Sequence, residues 1–163
     1  MGADSLIAAM DEAAIREYVA ATCPGTDVVI ASQEGDAPEV AWGDAFFIYD
    51  PERNLEGAQR FPFATIVVKD YPGWDEASNL NREGVFRLNI GVDRETFDGL
   101  FEPGAEHDFT ALDTLMPHPV YAEQHWVSVL NPSPATFERI KPLLGSAYQV
   151  AVQRRQRRQA RRS

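Results

Sequence analysis

Cysteine, histidine and positive charge are all scarce in this chain of 163 residues, and each scarcity excludes something. With Cys23 as the only cysteine, an internal disulfide is impossible. No apolar run approaches the roughly 18 residues that span a bilayer. The start, MGADSLIAAMDEAAIREY, carries Asp4, Asp11, Glu12 and Glu17, unlike the basic start and long apolar stretch of a secretion signal. Leu6 stands where a myristoylation signal places Ser or Thr. These absences predict a cytoplasmic protein without membrane association. No glycine-rich phosphate loop of either standard spacing occurs, so nucleotide folds have no support. There is no G-x-S-x-G elbow either, and Ser146 in LLGSAYQ reads as a packing residue of a helix. Cys23 ends a predicted helix, where the dipole opposes a thiolate.

What positive charge there is lies at one end. The last eleven residues, QRRQRRQARRS, hold six arginines and no acid, leaving nine basic residues against 25 acids in positions 1–152. The body is therefore strongly acidic and repels phosphate backbones, which argues against nucleic acid as a partner. The tail can extend the last helix, fold back on the acidic body or bind phosphates, although it lacks interleaved aromatics for stacking. The length suits one domain, giving a single α+β domain over 1–152 and a basic tail over 153–163.

Helices are predicted at both ends and strands between them. Asp4 or Ser5 can cap a first helix, with Ile7, Met10, Ala14, Tyr18 and Val19 at helical spacing. Pro24-Gly25 stops it. DVVIAS, EVAWGDAFFIYDP, FPFATIVVKDYPG, GVFRLNIGV and VYAEQHWVSVL read as strands. In GVFRLNIGV, alternation puts Phe86, Leu88 and Ile90 on one face and Arg87 and Asn89 on the other. VYAEQHWVSVL places His125, Val127 and Val129 opposite Trp126 and Ser128. Asp93 caps a short helix, and DFTALDTLM suggests another. Ser133-Pro134 opens the last helix, whose stripe is Phe137, Ile140, Leu144, Ala147 and Ala151, with a kink expected at Pro142. This order predicts an antiparallel sheet with the N- and C-terminal helices packed on one face.

All three histidines fall within HDFTALDTLMPHPVYAEQHW, residues 107–126. Clustered groups that titrate near neutrality suit acid/base chemistry or a metal. His107, His118, His125 and Asp108 could hold Zn²⁺, but the spacing fixes no geometry, and no metal or cofactor is expected. His118 is held between two prolines, with a stiff backbone, at a helix-to-strand junction, as a structural residue or as a catalytic group. Asp108 can serve His107 or cap the segment behind it. Arg87 and Asn89 suit an anionic or carbonyl-bearing ligand, or an ion pair with one of the many acids. Trp42, His125 and Trp126 can be core or pocket lining.

The VAWGDAFFIY strand, the HWVSV strand and the ATFERIKPLLGSAYQVA helix resemble the MmcQ/YjbR-like family, with Trp42-Gly43, His125-Trp126 and Ala147-Tyr148 at the matching positions. GVFRLNIGV, HDFTALDTLMPHPVYA and WVSVLNPS are more similar to an actinobacterial family of unknown function. The MmcQ/YjbR resemblance implies a double-wing α+β fold proposed to bind DNA. Residues 71–118 would elaborate that core, and the acidic body does not suit the DNA role.

The combined expectation is a small-molecule pocket closed by the 71–118 segment. An acid/base enzyme without cofactor would use it for dehydration, cyclisation or isomerisation beside a carbonyl, as in secondary biosynthesis. His118 would move the proton, assisted by His107 or Asp108, over Arg87 and Asn89. The alternatives are a non-catalytic binding module and a DNA-associated regulator using the arginine tail. A homo-oligomer is compatible with either pocket reading.

Overall fold

The computed structural model describes residues 9–162. Asp4, Ser5 and Ile7, the first helix's predicted cap and stripe residues, lie outside that range. Six strands form one antiparallel sheet: β1 (Thr26–Ile30), β2 (Ala45–Tyr49), β3 (Ala64–Val67), β4 (Arg87–Gly91), β5 (Met116–Pro117) and β6 (Trp126–Leu130). Their order across the sheet is β1-β2-β3-β4-β6-β5. Three α-helices accompany them, α1 (Glu12–Thr22), α2 (Arg94–Leu100) and α3 (Pro134–Arg162). The protein is therefore α+β. None of these helices is long and apolar enough to cross a membrane among the described residues.

Strict alternation separates the two faces of the sheet. Ala45 and Phe47, Ala64 and Ile66, Leu88 and Ile90, and Val127 and Val129 share one face. They form the main core with Ile15 and Val19 of α1 and Phe137, Ile140, Leu144 and Ala147 of α3. Each large apolar side chain so buried contributes about 1.5–3 kcal/mol. The two terminal helices also meet each other, Tyr18 lying edge-on to Phe137 with ring centroids 5.3 Å apart.

Local signals set the helix ends. Asp11 accepts from Ala14 N–H and starts α1, Asp93 accepts from Thr96 N–H and starts α2, and Ser133 accepts from Thr136 N–H behind Pro134. α3 continues through Pro142 and past Gln153 to Arg162, so the arginines prolong this helix. Arg155 is folded against the body and pairs with Glu52 at 3.1 Å.

The first helix starts behind Asp11, which leaves Met10 outside it, and Glu39–Ala41, expected as part of a strand, form a 3-10 turn before β2. Two further segments also depart from the sequence expectation. DFTALDTLM is not a helix. Asp108 takes the Thr110 N–H and hydroxyl in a local turn, and Asp113 has φ +56, a left-handed conformation that stops helix growth. The chain there makes a single bridge, Leu112 to Leu130, before β5. The last strand is also shorter than VYAEQHWVSVL. Residues 122–124 form a 3-10 turn, and His125 closes it at φ +69, so it belongs to neither face of β6.

Candidate functional site

The sheet face away from the helices carries a row of polar side chains. Thr65, Asn89 and Ser128 are cross-strand neighbours on β3, β4 and β6. Asn89 donates to Thr65 Oγ1 at 3.0 Å and accepts from Ser128 Oγ at 2.8 Å. Beside this row lies Arg87, with Val67 and Leu130 opposite it.

Arg87 is 0% exposed, which for a guanidinium demands partners on every side. Its Nη1 and Nη2 donate to the two carboxylate oxygens of Asp75, at 3.0 and 2.5 Å. Nη1 also donates to Ser78 Oγ and Nε to Asn89 Oδ1. Asp75 reaches Arg87 from a turn that folds across the sheet. Tyr71 and Asp75 exchange both backbone hydrogen bonds, and Pro72-Gly73 make the bend between them, Gly73 at φ +77. The same turn is tied down a second time, where the Tyr71 hydroxyl donates to the fully buried Asp44. Burial pushes the Asp44 carboxyl above its usual range, against the hydrogen bonds it accepts from Tyr71 and Val68. Burial, then the bond to Asp44, push the Tyr71 phenol well up.

His118 completes the floor and is 3% exposed. Pro119 has no N–H, so the next two amides, Val120 and Tyr121, turn back and donate to His118 Nδ1, each at 3.0 Å. Two donors on Nδ1 fix a lone pair there, so the neutral ring carries its proton on Nε2. Nε2 lies 3.3 Å from Arg87 Nη2. Burial, reinforced by the Arg87 charge and only partly offset by Asp75, lowers the His118 pKa to about 3. The ring is neutral at physiological pH.

Above this floor is a half-open cavity of about 470 Å³. Phe46, Phe61, Pro62 and Trp126 line one part of it, and Tyr71, Trp74 and Tyr121 another. Trp126 can lie against the sheet because its partner across the strands is Gly91. A Cβ at Gly91 would stand 2.7 Å from the indole Cε2. Two rim aromatics are largely bare, Phe61 at 56% exposed and Trp74 at 60%. Each leans edge-on to an inner aromatic, Phe61 on Trp126 at 6.3 Å and Trp74 on Tyr121 at 6.0 Å between centroids.

Of the residues singled out in the sequence, Arg87, Asn89, His118 and Trp126 meet at this cavity. The other four do not line it. His107 packs between Phe101 and Phe109, and exposed Asp108 caps its own turn. His125 lies against Phe97, and Trp42 donates to the Ala37 carbonyl at 3.1 Å. The assistance expected of His107 or Asp108 to His118 is therefore corrected, because the chain between them turns away into the Leu112 bridge. The three histidines are neighbours in sequence and go to three different places. Among the described residues no group of three or more His, Cys, Asp or Glu side chains is placed to hold a metal ion. Arg87 is one half of an ion pair, with Asp75 as the other half, and it also lines the cavity.

Asp75, Ser78, Tyr71 and Trp74 were not anticipated. They belong to the 71–118 segment expected to close the pocket but were not singled out within it, and the sequence signal for Asp75 is a lone arginine in a strand otherwise suited to burial, which demands a carboxylate from elsewhere.

The fold and the cavity together define a small α+β domain with a ligand-sized hollow on the open face of its sheet. The chain belongs to DUF6194, a family of unknown function, and the match covers residues 10–160. No curated protein and no solved structure matches it.

Proposed function

We propose that this protein binds one small, flat, largely apolar molecule in the cavity over Arg87, Asn89 and His118. One observation carries the reading: an aromatic-walled hollow of about 470 Å³ above a buried polar floor. That volume falls in the range of about 300–1,000 Å³ typical of small-molecule sites, and the mixture of apolar wall and few convergent polar groups is also typical. A monomer gains no stability from leaving Phe61 and Trp74 bare, whereas a ligand seated between them would cover both.

A second reading is an acid/base enzyme at the same cavity, favoured by the one histidine on its floor. With a pKa near 3, His118 would not act there as a base charged near neutrality. It would serve as a neutral Nε2–H donor to a carbonyl oxygen, polarising it for isomerisation or loss of water.

Thermal-shift and tryptophan-quenching titrations with panels of flat aromatic compounds, sugars and phosphates test the binding reading. Aromatic compounds should raise the melting temperature and quench emission, and Thr65→Phe, which fills the hollow, should abolish both effects. Preferential binding of sugars or phosphates, or aromatic binding that survives Thr65→Phe, would overturn it.

A further inference from the structure

The floor of the cavity distinguishes between chemical classes of ligand. Among the described residues Arg87 is the only cation lining it, and its charge is already matched by the two oxygens of Asp75, which lines it as well. A carboxylate arriving there would have to displace Asp75 or share its neighbourhood, leaving one negative charge unmatched in a poorly hydrated place. The charge balance of the floor thus disfavours an anion.

The same floor lacks one acceptor. His118 Nδ1 is occupied by two amides, so the proton is on Nε2, and Nε2 faces Arg87 Nη2 at 3.3 Å. Both atoms are then donors, and among the described residues no oxygen accepts from Nε2. A buried donor without an acceptor costs about 1–3 kcal/mol, a deficit that one uncharged oxygen placed beside both groups would remove.

Resting on the binding reading above, we propose that the cavity takes a neutral, flat aromatic molecule whose carbonyl oxygen accepts from His118 Nε2–H and Arg87 Nη2–H. The aromatic body lies along the sheet from the Arg87 end toward Trp126, which the absence of a side chain at Gly91 holds flat. Trp74 and Phe61 cover its outer edges.

Three probes of one skeleton test this: 2-acetylnaphthalene, 2-naphthoate and 2-ethylnaphthalene, titrated calorimetrically into the full chain at neutral pH. The ketone should bind at least about tenfold tighter than either of the others, equal to about 1.4 kcal/mol. Asp75→Asn leaves the Arg87 charge unmatched and should reverse the order of ketone and naphthoate. If ketone and ethylnaphthalene bind equally, the oxygen is not recognised and this inference fails while the binding reading stands. Naphthoate binding best to the unaltered chain overturns the charge argument. If none of the three binds, both the inference and the aromatic-pocket reading fall.

Discussion

His118 makes stability depend on pH in a way that isolates its environment. In the unfolded chain its pKa is the ordinary 6.5, and in the fold about 3. Between those values the unfolded chain holds a proton that the folded chain rejects, so acid draws the equilibrium toward unfolding. The contribution is fully retained above pH 6.5 and shrinks as pH falls, at about 1.4 kcal/mol per pH unit and roughly 4–5 kcal/mol over the interval. That is comparable with the whole stability of many domains, about 5–15 kcal/mol. The informative variant is His118→Asn, because an asparagine Oδ1 can stand where Nδ1 now accepts from Val120 and Tyr121. It keeps the turn and removes the titration. Urea unfolding of both proteins at intervals from neutral pH to about pH 4 gives two curves, and subtraction cancels the carboxylates common to both, Asp44 included. The wild-type curve should fall more steeply below pH 6.5, and the two should run parallel above it. Parallel curves throughout would show that the imidazole accepts a proton in the fold as readily as outside it. The donor-only surroundings assigned to His118, and the recognition argument built on them, would then be wrong.

Two further expectations follow from the same floor. Asp75→Ala strands the buried guanidinium of Arg87 and should cost about 3–5 kcal/mol in urea unfolding. Adding Arg87→Met to Asp75→Ala should restore part of that, whereas simply additive losses would show that the pair is not coupled. Gly91→Ala drives a methyl into the indole of Trp126, 2.7 Å from Cε2. It should cost about 1–3 kcal/mol and shift the tryptophan emission to the red, and an unchanged spectrum would mean the ring does not lie on the glycine.

The faces of β4 and β6 were legible because a period of two repeats within five residues, and Phe86-Arg87-Leu88-Asn89-Ile90 declares both faces at once. The caps at Asp93 and Ser133 were legible for a similar reason, since the partner amide is three residues away. DFTALDTLM misled because its apolar spacing fits a helix, while a local Asp108 turn and the left-handed Asp113, next to the Leu112–Leu130 bridge, interrupt it. His125 misled in the same way: alternation carries on through it while its backbone does not. At the site, Arg87, Asn89 and Trp126 could be grouped by parity alone. The partner of Arg87 could not, because a carboxylate twelve residues upstream competes with many others, and only the path of the loop across the sheet selects it.

The turn from Tyr71 to Asp75 has a consequence for motion. It has no place in the sheet and one flank is open to water, so its surface position suggests a segment that opens freely. Yet its two ends are anchored to two separate buried charges, Asp44 through the tyrosine hydroxyl and Arg87 through the aspartate. Neither anchor can let go without leaving a polar group stranded in the interior. The amide protons of Tyr71 and Asp75 should therefore exchange with solvent as slowly as those of the strands beneath, while Trp74, carried between them, keeps its side chain in water. The rim of the cavity is thus a backbone frame pinned at both ends, with the exposed Trp74 ring leaning on Tyr71 and Tyr121, and access to the hollow would be set by that side chain rather than by movement of the turn.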